Sequence, residues 1–192
     1  PADDTKSGSK LVEEKGGFFK SSSIGILGNP FWKNFIVIVD YKFQRLLLQA
    51  NPGVRVKEQI ENFLKLGDTN LLQKRDYRQA ESYYQKALMV AQSNKDVRYQ
   101  AILWGRMAHM RRMMAKDLAR PEHTKSSYEY FIKAQELAIE CGDSEARGRI
   151  LADWSLLYND NGQIQESAKV MNQALLLAPN NAQVNVDYAI HL

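Results

Sequence analysis

Three stretches of the chain carry the same small pattern of side chains. In "DYRQAESYYQKAL" a small residue, Ala80, is followed four positions later by a large one, Tyr84, and three after that by Ala87. Ser127, Phe131 and Ala134 repeat the arrangement, and so do Ser167, Met171 and Ala174. Steps of four and three keep side chains on one face of a helix. A helix packed on ordinary neighbours would favour Leu or Ile there, so tiny residues alternating with a bulky one require a second helix pressing close at the small positions. From residue 54 onward the chain is helical by period, in pairs divided by short polar turns. The expected fold is therefore all-α, an array of stacked helix pairs over 54–192.

The pattern resembles the tetratricopeptide repeat, whose first helix reads Trp-x2-Leu-Gly-x2-Tyr and whose second reads Ala-x3-Phe-x2-Ala before a closing Pro. The third unit, "LADWSLLYNDNGQIQESAKVMNQALLLAPNN", supplies Leu151, Trp154, Ser155 and Tyr158, then Gly162 in the turn, Ser167, Met171 and Ala174, and Pro179. The resemblance implies a right-handed solenoid of about three helix-turn-helix repeats plus a terminal helix in "NAQVNVDYAIHL". In the first unit Arg75 stands where the family usually has glycine, a strained choice if that position is left-handed. The second unit carries roughly seven extra residues near "DLARPEH", expected as a surface loop around Pro121.

Ahead of the array, residues 1–29 mix Gly, Ser and charge, as in "DDTKSGSK" and "SSSIGILGN", and predict an arm, flexible or bound to a partner. "NPFWKNFIVIVDYKFQRLLLQANPG" then suggests a long hydrophobic helix over 30–53, with Asn29 as N-cap, Pro30 first in the helix and Asn51-Pro52-Gly53 as its stop, although "FIVIV" alone would also suit a strand. A stripe of Trp32, Phe35, Ile36, Val39, Phe43, Leu46 and Leu47 would cap the first repeat. Val37, Ile38, Tyr41 and Leu48 fall off that stripe and are the expected contact residues for a protein or a membrane surface. Lys33, Asp40, Lys42 and Arg45 interrupt the segment too often for a membrane span.

Chemistry is sparse. Cys141 is the single cysteine, so there is no disulfide framework or cysteine cluster, in keeping with a reducing compartment, cytoplasm or organelle interior. His109, His123 and His191 show no metal-ligand spacing, and no phosphate-binding glycine loop or nucleophile elbow is present. No cofactor, metal or catalytic residue is expected, and the chain reads as a non-enzymatic adaptor or scaffold subunit. The formal charge of +4 is too mild to indicate nucleic acid, and no aromatic ladder interleaves the basic residues.

The strongest local field belongs to "WGRMAHMRRMMAKDLAR", where Arg106, Arg111, Arg112, Lys116 and Arg120 crowd together. The resemblance implies that first helices line a concave groove. Threaded on Trp104, that places Gly105, His109, Arg112 and Met113 toward the groove, with Arg149, Ala152, Leu156 and Asn159 from the third unit. The expected occupant is an acidic or helical segment of a protein partner, with Met113 adding adaptable apolar contact. The family's carboxylate clamp would fall on Lys65, Thr69, Arg106, Arg149 and Asp153 when matched from the turn, or on Leu64 and Asp68 in place of the first two when matched from Gly67, and either way an acid at Asp153 disfavours the chaperone-tail ligand. The alternative reading is a membrane-peripheral assembly factor attached through the helix over 30–50.

Overall fold

The computed structural model describes residues 9–11, 35–40, 42–50 and 52–191. By contacts the chain falls into two units, 1–58 and 59–192, which are taken separately.

The first unit holds a three-stranded antiparallel sheet of β1 (Ser9–Leu11), β2 (Phe35–Asp40) and β3 (Arg45–Ala50), in the order β1-β3-β2. The expected helix over 30–53 is therefore wrong for its described residues. Phe35, Ile36, Val37, Ile38 and Val39 are an unbroken aromatic and β-branched run, and such side chains lose rotamer freedom in a helix but fit a pleated sheet. Lys42 to Gln44 form the turn, with Gln44 left-handed at φ 49°, and Asp40 pairs with Arg45 to set the register. Val37 pairs with Leu48 and Ile38 with Leu47. The supposed helix stop is a start, because Pro52 is the first residue of the next helix, where its missing N–H costs nothing. The arm also contains an element, since Ser9 to Leu11 pair with Leu47 to Gln49. Asn29, Pro30, Trp32 and Tyr41 lie outside the described residues.

Seven helices follow among the described residues: α1 (Pro52–Leu72), α2 (Tyr77–Ser93), α3 (Val97–Asp117), α4 (Glu122–Glu140), α5 (Ser144–Asp160), α6 (Ile164–Leu177) and α7 (Ala182–His191). Asp76, Asp96 and Asp143 cap α2, α3 and α5 by accepting from the backbone N–H three residues on, at 2.9, 3.0 and 2.9 Å. None of the helices is long and apolar enough to cross a membrane. The pairs α1/α2, α3/α4 and α5/α6 are the three repeats, and α7 ends the described array.

The nine residues of the recurring stripe are all buried. The first helices press close on the second, as their glycines show. A Cβ added at Gly67 on α1 would lie 2.4 Å from the Tyr84 ring, and one added at Gly148 on α5 would lie 2.6 Å from Ala178 Cβ. The two serines do more than shrink: Ser127 Oγ donates to the Ala108 carbonyl at 2.8 Å and Ser167 Oγ to the Ser155 carbonyl at 2.7 Å, pinning each second helix to its first. One core cluster joins Ala101, Ala108, Phe131, Ala134 and Ile150, another joins Leu151, Ala152, Met171, Ala174 and Val184, and Trp154 packs against both.

The extra residues of the second repeat are not a surface loop. Ser127 lies 19 residues beyond the carbonyl it bonds and Ser167 only 12, a difference of seven. Only residues 118–121 separate α3 from α4, so the addition is helical, about one turn on each arm of the hairpin.

Candidate functional site

Helices α3 and α5 bring together most of the residues expected to line the groove, and they do so as acid–base pairs. His109 Nδ1 on α3 lies 2.8 Å from Asp153 Oδ1 on α5. Arg112 donates to Asp160 at 2.6 Å, and the Lys116 ammonium reaches the same carboxylate at 3.5 Å. Arg106 faces Asp68 of α1 at 3.7 Å, and Asp68 also accepts from the Tyr84 hydroxyl at 2.7 Å. Arg111 is held by Glu81 of α2, and Arg98 by Asp143 at the start of α5.

The electrostatics follow from these contacts. Burial pushes the Asp153 carboxyl up, but the His109 ring and the Arg106 and Arg112 guanidiniums outweigh it and hold the group below the ordinary carboxylate range. Burial and the Asp68 charge push the Tyr84 phenol up. On α7, Asp187 is buried, with Oδ1 accepting from Gln183 at 2.9 Å and Oδ2 without a hydrogen-bond partner among the described residues. Burial and then the Asp153 charge push its carboxyl up.

Arg149 differs from its neighbours. It is half-buried in a cleft between α3 and α5, beside Ile102, Gly105, Arg106, Glu145 and Asp153. It alone of the cations on α3 and α5 makes neither hydrogen bond nor ion pair among the described residues. Burial, and next the positive charge of Arg106, hold its guanidinium below the usual arginine value.

The apolar part of the expected groove is not available as imagined. Met113 and Leu156 are buried, as are Gly105 and Ala152, while Asn159 is half-buried. Of the residues expected on an N-terminal contact helix, Val37 and Ile38 are exposed on β2, Leu48 is half-buried on β3, and Tyr41 is not among the described residues. Sequence reasoning missed the acids as partners: Asp153 and, in one alignment, Asp68 came up only as clamp positions, and nothing local marked Asp160 or Asp187.

Residues 60–94 and 149–181, the first and third helix pairs, each match the model of the tetratricopeptide repeat. Those two helix pairs are tetratricopeptide repeats. No curated protein matches it. The two matched tetratricopeptide repeats flank the pair α3/α4, whose helices carry the extra turns and, Arg149 of α5 apart, the groove's basic residues. Repeats of this family generally serve as scaffolds for protein partners and are typically non-catalytic. Among the described residues no group of three His, Cys, Asp or Glu side chains is placed to hold a metal ion.

Proposed function

We propose that the chain is a non-enzymatic adaptor whose tetratricopeptide groove takes an acidic side chain of a protein partner on Arg149. The observation that carries this reading is that this guanidinium, although Asp153, Asp68 and Glu145 act on it through space, makes no hydrogen bond or ion pair among the described residues. A half-buried cation beside a second one, Arg106, is poorly solvated and gains from a carboxylate, which can pair with the planar guanidinium through two parallel hydrogen bonds. The remaining groove cations already hold acids, so a long polyacidic segment would have to displace those pairs. One carboxylate, flanked by residues that tolerate the mixed-charge wall of Glu145 and Asp153, fits better. The expectation that Arg112 and His109 themselves meet the partner is accordingly narrowed to Arg149.

The test is selection from a random peptide display library on the wild-type chain, followed by binding of the selected peptides to Arg149→Ala. Enrichment of Asp or Glu at one fixed position, with affinity falling about tenfold in the variant and the thermal midpoint unchanged, is the expected result. Peptides without that enrichment, or with equal affinity for both proteins, would overturn the reading.

A further inference from the structure

The β2–β3 hairpin holds a surface that partner docking in the groove does not use. Ile36, Val37 and Ile38 are consecutive on β2, so strand alternation sends them to both faces, yet they are 44, 41 and 43% exposed. At the turn Phe43 is 60% exposed. The Lys42 ammonium stands 5.4 Å and the Arg45 guanidinium 4.7 Å from the centre of its ring. No acidic residue occurs from Lys42 to Ala50, so the turn and the strand that follows it carry positive charge only.

An aromatic apex carrying two cations, on a stem of exposed aliphatic side chains, matches the layered chemistry of a bilayer surface. Aromatic rings settle at the level of the headgroups, basic side chains gain from the negative potential of anionic lipids, and apolar neighbours bury against the acyl boundary. We propose that this hairpin docks on an anionic lipid surface, Phe43 entering the headgroup layer, Lys42 and Arg45 pairing with lipid phosphates, and Ile36 to Ile38 following at the margin. The charge selects lipid over a second copy of the chain. Pairing two copies along the outer edge of β2 would cover an apolar edge strand, but it would use neither the exposed ring nor its cations.

The experiment is co-flotation of the full chain with vesicles of phosphatidylcholine alone and of phosphatidylcholine mixed with phosphatidylserine. The wild type should float with the mixed vesicles only and be released by high salt. Phe43→Ser should lower partitioning about tenfold, Lys42→Ala about fivefold, and Phe43→Trp should retain it. Thermal midpoints should be unchanged in all three variants, since these side chains are exposed in the folded protein. Absence from the mixed vesicles, or flotation indifferent to Phe43→Ser and Lys42→Ala, would overturn the proposal. So would a vesicle-free dimer, seen by sedimentation, that Ile38→Ser dissociates, because the surface would then be covered by edge pairing.

Discussion

Arg112 and Asp160 are joined by a 2.6 Å charge-assisted hydrogen bond that crosses from the first helix of the second repeat to the first helix of the third. With side chains only 15 and 23% exposed, the pair is shielded enough to contribute to stability, unlike a solvated surface bridge. A double-mutant cycle with Arg112→Ala and Asp160→Ala should give a coupling of about 1 to 2 kcal/mol by chemical denaturation. A coupling near zero would mean that the two side chains are independently solvated. Charge reversal at Arg112 should therefore lower the thermal midpoint as well, which a free groove cation would not do.

Trp154 stacks on Phe131 of the second repeat, with centroids 5.8 Å apart and planes 8° from parallel, and on Tyr158 at 5.9 Å and 12°. It links two core clusters as well as filling its own repeat. Trp154→Ala should cost about 3 kcal/mol and broaden the unfolding transition, because the third repeat loses a contact that couples it to the second. An unshifted midpoint in a thermal melt would contradict this packing.

Every turn between helices from α1 to α6 contains a left-handed residue: Arg75, Lys95, Ala119, Gly142 and Gly162, with φ of 55, 54, 51, 69 and 73°. Glycine takes this conformation freely and the other three do not. Lys95→Gly and Ala119→Gly should each stabilise by about 1 kcal/mol, the relief of strain exceeding the extra entropy glycine adds to the unfolded chain. Arg75 is excluded from this test because it also pairs with Asp117 at 3.4 Å. Denaturation midpoints moving the opposite way would show that the turns are unstrained.

Burial, then the Asp153 charge, raises the Asp187 carboxyl above its ordinary range, while the Gln183 hydrogen bond, His109 and Arg112 oppose the shift. A raised acid favours folding when protonated. That stabilisation is fully present below the unfolded carboxyl value and is lost as pH rises through the higher folded value. Asp187→Asn, neutral throughout, should gain about 1 kcal/mol over wild type at pH 7, and the gain should disappear below about pH 4. Thermal melts at both pH values check it, and equal midpoints at neutral pH would refute it.

The repeats were legible in the sequence because their signal is local: four-then-three spacing of small, large and small side chains survives whatever else varies between units. Arg75 was legible for the same reason, as a non-glycine in a glycine turn, and its φ of 55° bears that out. The hairpin was misread because Phe35 to Val39 satisfies both periods and Asn51-Pro52-Gly53 suits a helix stop as well as a start. Length then favoured the wrong element. The groove was only half legible. Its cations sit close together on one helix, but their acids lie 44 residues away for His109 and 48 for Arg112, beyond the reach of any spacing argument.

The seven added residues of the second repeat impose a rule of phase. A helical hairpin can lengthen without disturbing the contacts below it only if each arm regains the same azimuth, and seven residues shared between two arms come to about one full turn apiece. The Ser127 hydroxyl consequently meets its carbonyl at 2.8 Å, almost as Ser167 does at 2.7 Å, despite the longer path. Growth in such a hairpin is quantised: three or four residues shared between the two arms would give each only about half a turn and rotate both out of step. The tip bearing exposed Leu118 thus stands about 5 Å further along the helix axes than in an unextended repeat, and Asp117 just below it reaches Arg75 of the first repeat.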